Sequence, residues 1–366
     1  MSAVRAAVLA GYNQPLEMRD FPAPPRPGPG EAVARVEMAG ICGTDVHLWK
    51  GELPIPLPVI LGHESVGRLE EVGEGLSRDW RGVPIQAGDR VTWASSVVCG
   101  ECYYCRQKRQ PTRCLQRKAY GISYCCEDAP HLRGGYAEKI MLRAGSSIFR
   151  LPDSLETVSV VGAGCALTTA IHGLERCPVG WGDVVVIQGT GPVGLAALAV
   201  ARQSGAGKIV AIGGPAHRLE MARAFGADVT VDIAEVKDRA ERQKLTLELC
   251  GGYGADVVVE CVGHPEAVNE GIEMCRDGGK FLVLGQYANA GNIEFNPHTI
   301  TRKQLAVHGS WGFEPRHVDA ALRMLELGEW ARLFASQVTH RFPLEQATEA
   351  LETVKRWQSG KAVLVP

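Results

Sequence analysis

The sequence predicts an α/β protein of two domains, one β-rich and one built on a doubly wound parallel sheet. Three observations carry this. A chain of 366 residues exceeds what one hydrophobic core usually serves. Up to about residue 150, short apolar runs are bounded by Gly and Pro, the punctuation of strands and turns. Beyond Pro178, apolar runs alternate with helical stretches, which implies buried parallel strands covered by helices on both faces.

In chain order, Pro22–Gly30 (PAPPRPGPG) cannot be regular structure, because proline fixes φ and removes donors; it reads as an extended turn. Strands are predicted at Ala32–Glu37, Ser65–Val72 and Arg90–Trp93. The alternating region then reads as strand Asp183–Gln188, helix Pro192–Ser204, strand Lys208–Ile212 and helix Ala216–Phe225. Strands Asp228–Asp232, Asp256–Cys261, Lys280–Leu284 and Leu305–His308 follow, making six, the number in a doubly wound nucleotide-binding sheet. The tail carries helical patterns at His317–Leu327 and Leu344–Trp357 and a short strand at Ala362–Val365.

Composition narrows the function. At 45% hydrophobic and 22% charged residues, the chain is an ordinary globular protein. A net charge of −2 supplies no field for nucleic acid or an anionic membrane. The apolar run from Val184 to Ala201 is interrupted by Gly189, Gly191, Pro192 and Gly194, so it reads as strand, turn and buried helix, not a membrane span. No export signal is legible, and twelve cysteines without one fit metal binding in a reducing cytoplasm better than disulfides.

Four of those cysteines form Cys99-x2-Cys102-x2-Cys105-x8-Cys114. Four thiolates from one compact loop can enclose a zinc ion tetrahedrally and leave no position for substrate, which makes the site structural. Basic and aromatic residues around it (Arg106, Lys108, Arg109, Tyr103, Tyr104) invite a zinc-ribbon reading, which the slightly acidic whole chain disfavours. A second, dispersed group is Cys42, His63 beside Glu64, and Cys165. Two sulfurs and one imidazole suit zinc with an open fourth position, the arrangement catalysis needs, although an isolated histidine is by itself more often structural.

The strand ending at Gln188 runs into Gly189-Thr190-Gly191-Pro192-Val193-Gly194, which opens a helix. Glycines there permit the tight turn and let a pyrophosphate reach the helix N-terminus. The carboxylate that would hold the ribose hydroxyls should close the second strand, but Gly213-Gly214 stands there, followed by His217 and Arg218. Losing that charge and gaining two neighbouring bases leans towards NADP, with NAD left open.

With these pieces in place, the chain resembles the zinc-containing alcohol dehydrogenases of the medium-chain dehydrogenase/reductase family. The motifs are Gly40-x-Cys42-x-Thr44-Asp45-x-His47, Gly62-His63-Glu64-x-x-Gly67, Ala87-Gly88-Asp89-Arg90-Val91, the four-cysteine lobe, Gly164-Cys165-Ala166-Leu167-x-Thr169 and the glycine turn. The resemblance implies a GroES-like catalytic domain at 1–166 and 311–366 and a Rossmann domain at 167–310. It implies Cys42, His63 and Cys165 as catalytic zinc ligands. Glu64 would bind the metal or stand beside it, and Asp45 would orient the ligand histidine. Thr44 and His47 would relay the proton, and Thr169 and Val262 would contact the cofactor. Two zinc ions per chain, NAD(P), a small alcohol or carbonyl and a homodimer or homotetramer follow from the same likeness. Two departures accompany it: an interval of eight residues before Cys114 where seven is usual, and Gly360-Lys361-Ala362 where some members carry a phosphate-binding arginine.

The implied reaction moves a hydride between an alcohol and the nicotinamide, with zinc as Lewis acid. Rival readings are a metal-free quinone reductase on the same fold and a non-enzymatic relative; both predict eroded ligands, and the ligands are all there. Trp49, Leu53, Trp93, Ser95 and Tyr120 are candidates for the pocket wall or for core, and the adjacent Cys125 and Cys126 read as core. Thr44 has a second reading, as the cap of a helix starting near Asp45.

Overall fold

The computed structural model describes residues 3–366. The chain divides into two compact units, Met1–Cys165 with Glu314–Pro366, and Ala166–Phe313. The first boundary falls inside the helix Thr157–Arg176.

The first unit is built on a seven-stranded sheet. Along it lie Ile148–Arg150, Arg90–Trp93, Ser65–Val72, Ala32–Ile41, Lys361–Val365 and Val338–Pro343, and Lys139–Leu142 also pairs with Ala32–Ile41. A smaller sheet joins Glu17–Phe21, Val4–Leu9 and Val59–Ile60. The core between them includes Leu9, Leu48, Ile60, Leu61 and Tyr136, all at most 1% exposed. Each such side chain contributes about 1.5–3 kcal/mol relative to exposure. Strand Ala32–Ile41 runs four residues beyond its predicted end, because both of its neighbours continue pairing there: Ala39 with Ser65, and Ile41 with Ala362. That extension carries the chain to the brink of Cys42.

The second unit is a six-stranded, wholly parallel sheet in the order Val229–Asp232, Lys208–Gly213, Val184–Gln188, Ala255–Glu260, Cys275–Val283, Ala306–Gly309. The order reverses beside Val184–Gln188, so the crevice beyond the carboxyl ends of that strand and Ala255–Glu260 is where such sheets take ligands. The run Val184 to Ala201 is accordingly a strand and a helix, Pro192–Gln203.

Several elements have no counterpart in the sequence reading: strands Val4–Leu9 and Val338–Pro343, and helix Thr157–Arg176. The helix is long and apolar enough to cross a membrane by length and composition, but 67% of its apolar window is buried within the fold. Gly164 breaks it, with φ 47° and ψ −148°. Pro22–Gly30 carries no helix or strand.

Candidate functional site

Cys42 leaves strand Ala32–Ile41 and caps helix Gly43–Lys50 in extended geometry, with φ −98° and ψ 155°. The cap is therefore Cys42 and not Thr44. Asp45, in the first helical turn, accepts the Cys42 amide on Oδ2 at 2.9 Å and faces His63 Nδ1 through Oδ1 at 3.2 Å. Tyr136 donates its hydroxyl to Asp45 Oδ2 at 3.0 Å. One fully buried carboxylate thus orients both Cys42 and His63, and holding Nδ1 leaves Nε2 as the imidazole nitrogen a metal could take.

Cys165 arrives by a different route. The break at Gly164 frees the Cys165 amide from the helical ladder, and Glu64 Oε1 accepts it at 2.7 Å. The two sulfurs of Cys42 and Cys165 stand 3.3 Å apart. Ligand atoms of Cys42, His63, Glu64 and Cys165 all lie within 4.8 Å of one another. The Cys165 thiol's hydrogen bond holds the Cys42 thiolate down to about 5, while the same bond and burial push Cys165 well up. Two sulfurs and an imidazole converging beside a carboxylate form a donor set that a divalent cation of borderline softness fits.

Glu64 has no oxygen to spare. Lys361 Nζ donates to Oε2 at 2.5 Å, completing the engagement begun by Cys165 on Oε1. Burial is the largest single influence and would raise this carboxyl, but the Lys361 and His63 charges together with the hydrogen bonds from Cys165 and Lys361 outweigh it and hold the group down to about 2. In the sequence Lys361 stands where some members of the family carry a phosphate-binding arginine, and Tyr136 belongs to no motif. Nothing local signals either: a buried tyrosine and a lysine near the C-terminus are ordinary until the fold sets them beside the clustered donors.

The four-cysteine lobe closes on itself. Sulfurs of Cys99, Cys102, Cys105 and Cys114 lie within 4.8 Å of one another. Backbone amides of Cys99 and Cys102 point at the sulfurs of Cys114 and Cys99, each at 3.4 Å. Amides of Leu115 and Cys105 pull the Cys102 thiol down to about 6. The longer interval before Cys114 is absorbed by a π-helical turn at Tyr103–Gln107, Arg109 at φ 53° and a 3₁₀ turn at Pro111–Arg113. None of the twelve cysteines, all of them among the described residues, is joined in a disulfide.

In the second unit, Gly189 has φ 92° and Gly191 caps helix Pro192–Gln203. A Cβ on Gly194 would sit 1.8 Å from the Gly189 carbonyl, so no other residue fits there. Pro192 and Val193 form the first turn, and Val262 reaches within 3.1 Å of where a Gly189 Cβ would stand. Gly213 closes the second strand without a carboxylate, and a Cβ there would meet Thr190 Oγ1 at 2.5 Å. His217 Nε2 is buried without a hydrogen-bond partner, and Arg218 lies 3.8 Å from a Cβ built on Gly191. A bare cradle with an orphaned imidazole nitrogen and a guanidinium at its rim suits a phosphorylated ligand.

Other candidates fall as follows. Thr44 and His47 lie on helix Gly43–Lys50, three positions apart and so on one face; both are half-buried, and His47 Nδ1 pairs with Glu52. Thr169 is half-buried on helix Thr157–Arg176. Trp49, Trp93, Ser95 and Tyr120 are buried at 5% exposure or less, and Leu53 packs against the same core. Cys126 is core, but Cys125 is not: it lines a cavity of about 560 Å³ with Pro54, Lys118, Tyr124 and Arg133.

A parallel nucleotide-binding sheet joined to a β-rich unit with sulfur and imidazole donors defines a class: an oxidoreductase that uses zinc and a nicotinamide nucleotide. Residues 28–153 match the family model of the alcohol dehydrogenase GroES-like domain, and residues 192–326 that of the zinc-binding dehydrogenases. The 5-exo-hydroxycamphor dehydrogenase of Pseudomonas putida is 37% identical over 100% of this chain and 99% of its own. The crystal structure of an alcohol dehydrogenase from Thermotoga maritima superposes with a TM-score of 0.94 at 34% identity, covering 100% of both chains. A zinc-binding dehydrogenase from Sinorhizobium meliloti, bound to NADP, gives a TM-score of 0.85 at 28% identity over 100% of both chains. The chain belongs to the zinc-containing alcohol dehydrogenases of the medium-chain dehydrogenase/reductase family, and it is a dehydrogenase of small molecules.

Proposed function

We propose that this enzyme interconverts a neutral alcohol, secondary alcohols included, and its carbonyl, with one catalytic zinc ion on Cys42, His63 and Cys165. A second, structural zinc ion would sit on Cys99, Cys102, Cys105 and Cys114. The observation that carries this reading is the meeting of three donors from distant segments, with the neighbouring Glu64 carboxylate already tied to other partners. That donor set suits zinc with one position left over.

Zinc bound there would polarise the alcohol or carbonyl oxygen, and the nicotinamide would exchange the hydride. The chain's own residues do the rest. Asp45 keeps the His63 ring and the Cys42 amide aimed. Thr44 and His47, one helical turn apart, are the relay that takes the alcohol proton towards solvent, and the half-exposed His47 is its outer end. The turn from Gly189 to Gly194 receives the pyrophosphate, with Thr169 and Val262 as further cofactor contacts. NADP is the favoured form, since Gly213 carries no carboxylate to repel a 2′-phosphate and His217 and Arg218 are the basic residues next along the chain.

A neutral substrate accords with the hydroxycamphor named for the Pseudomonas relative. The outermost strand Ala306–Gly309 leaves one sheet edge available to a second copy, which favours a homodimer or a tetramer of such pairs.

The test is Cys42→Ala. Turnover should vanish, bound zinc should fall from about two equivalents to about one, and nucleotide binding should persist. Undiminished turnover would refute the metal mechanism.

A further inference from the structure

Lys361 opens the last strand, Lys361–Val365, which pairs with the strand leading into Cys42. Its side chain is 1% exposed, as is that of Glu64. A cation so enclosed does not meet a cofactor phosphate; what it meets is Glu64 Oε2, at 2.5 Å. A buried ion pair is a poor way to gain stability, because desolvating both charges offsets most of their attraction and an apolar pair of similar size often serves as well. Its presence beside the ligand cluster asks for another explanation.

The surroundings of the carboxylate are built for it. A Cβ on Gly40 would approach Glu64 Oε2 at 2.6 Å, and one on Gly164 would approach Oε1 at the same 2.6 Å and Lys361 Nζ at 2.9 Å. Two positions are thus kept bare around one carboxyl group. Its first oxygen holds the Cys165 amide and its second holds the ammonium. The carboxylate nevertheless stands among the donor atoms of Cys42, His63 and Cys165, all within 4.8 Å. If the ammonium were removed, the nearest remaining cation for Oε2 would be the metal, and a hard anionic oxygen is an acceptable zinc ligand.

We propose that Lys361 is a positioning residue that holds the Glu64 carboxylate off the catalytic metal and so keeps the fourth coordination position open for the substrate oxygen. This rests on the reading of Cys42, His63 and Cys165 as a zinc site. It assigns Glu64 a structural task, supporting Cys165 through its amide, and denies it the role of a resident ligand. It also makes the C-terminal strand a determinant of metal chemistry, although that strand contributes no ligand.

The experiment uses the full-length protein with cobalt(II) in place of zinc. Wild type, Lys361→Met, Lys361→Arg and the double variant Lys361→Met with Glu64→Gln are compared by visible ligand-field spectra, rate of metal release to a chelator, and kcat and KM. Lys361→Met should shift and weaken the catalytic-site bands, slow the release of that metal, and lower kcat/KM by about tenfold or more. Lys361→Arg should restore the bands, and the double variant should return them towards wild type, since a neutral amide is a far weaker ligand. Bands and release rate unchanged in Lys361→Met, or a double variant that keeps the shifted spectrum, would overturn the assignment. Should Lys361→Met fail to accumulate as folded protein, Lys361→Gln carries the same expectation and the same refutation. Wild-type protein without a Cys42-dependent metal would overturn the zinc site and this assignment together, whereas unshifted bands overturn this assignment alone.

Discussion

Asp45 touches three groups: the Cys42 amide, His63 Nδ1 and the Tyr136 hydroxyl. A carboxylate with no solvent must have its lone pairs satisfied, and Tyr136 supplies a donor from a segment 91 residues away. The tyrosine ring also fills the space beside Gly62, where a Cβ would come within 2.5 Å of Tyr136 Cδ1. Tyr136→Phe keeps that ring and removes only the donor. The expected result is a fold unchanged by circular dichroism, a catalytic metal held about tenfold more weakly in chelator competition, and a structural metal held as before. Equal weakening of both metals would point to general loosening and count against a specific role for the hydroxyl. At this scale short motifs in the sequence point to Cys42, His63, Glu64 and Cys165, whose donor atoms the structure brings together, and to Asp45 beside them. It was silent on Tyr136 and Lys361, whose importance depends on which strands lie next to one another.

Elements were legible in proportion to how regular their burial is. Strands Ser65–Val72 and Arg90–Trp93 stand where the pattern put them, and all six strands of the parallel sheet were found within a few residues. Helix Thr157–Arg176 escaped because its first half, TVSVVGAG, is β-branched and glycine-rich, and its helicity is imposed by packing. Strand Val338–Pro343 escaped because it is short, half-exposed and ends in proline, as outer strands do. The nucleotide turn makes a prediction at this scale. Placing a ribose-binding carboxylate with Gly213→Asp should fail alone, because Thr190 Oγ1 lies 2.5 Å from the new Cβ. Gly213→Asp should weaken binding of both nucleotides, and adding Thr190→Gly should recover NAD while leaving NADP weak. Titration by reduced-nucleotide fluorescence checks this; recovery of NADP in the double variant would contradict the reading of that turn.

For the whole molecule, the four-cysteine lobe and the parallel sheet belong to different compact units. Of the residues from 99 to 114, only Thr112 and Cys114 are buried, so that lobe has no core of its own to hold it. A metal at the four sulfurs would take the place of that core. Prolonged chelation should therefore expose residues 99–117 to protease, read by mass spectrometry. Nucleotide affinity should change by less than about twofold, because an undisturbed unit keeps its local stability. Cleavage spreading first through Ala166–Phe313 would contradict the independence of the units.

Read alone, the sequence determined the donor inventory, its order along the chain, the parallel sheet and the glycine turn, because these rest on short spacings and local periodicity. Tertiary structure decided what those parts do to one another. In the sequence Glu64 reads as a metal ligand or a neighbour of one; the structure adds Lys361, 297 residues away, on its second oxygen. Contacts of that separation are set by strand order and register, and local patterning in the chain carries no record of either.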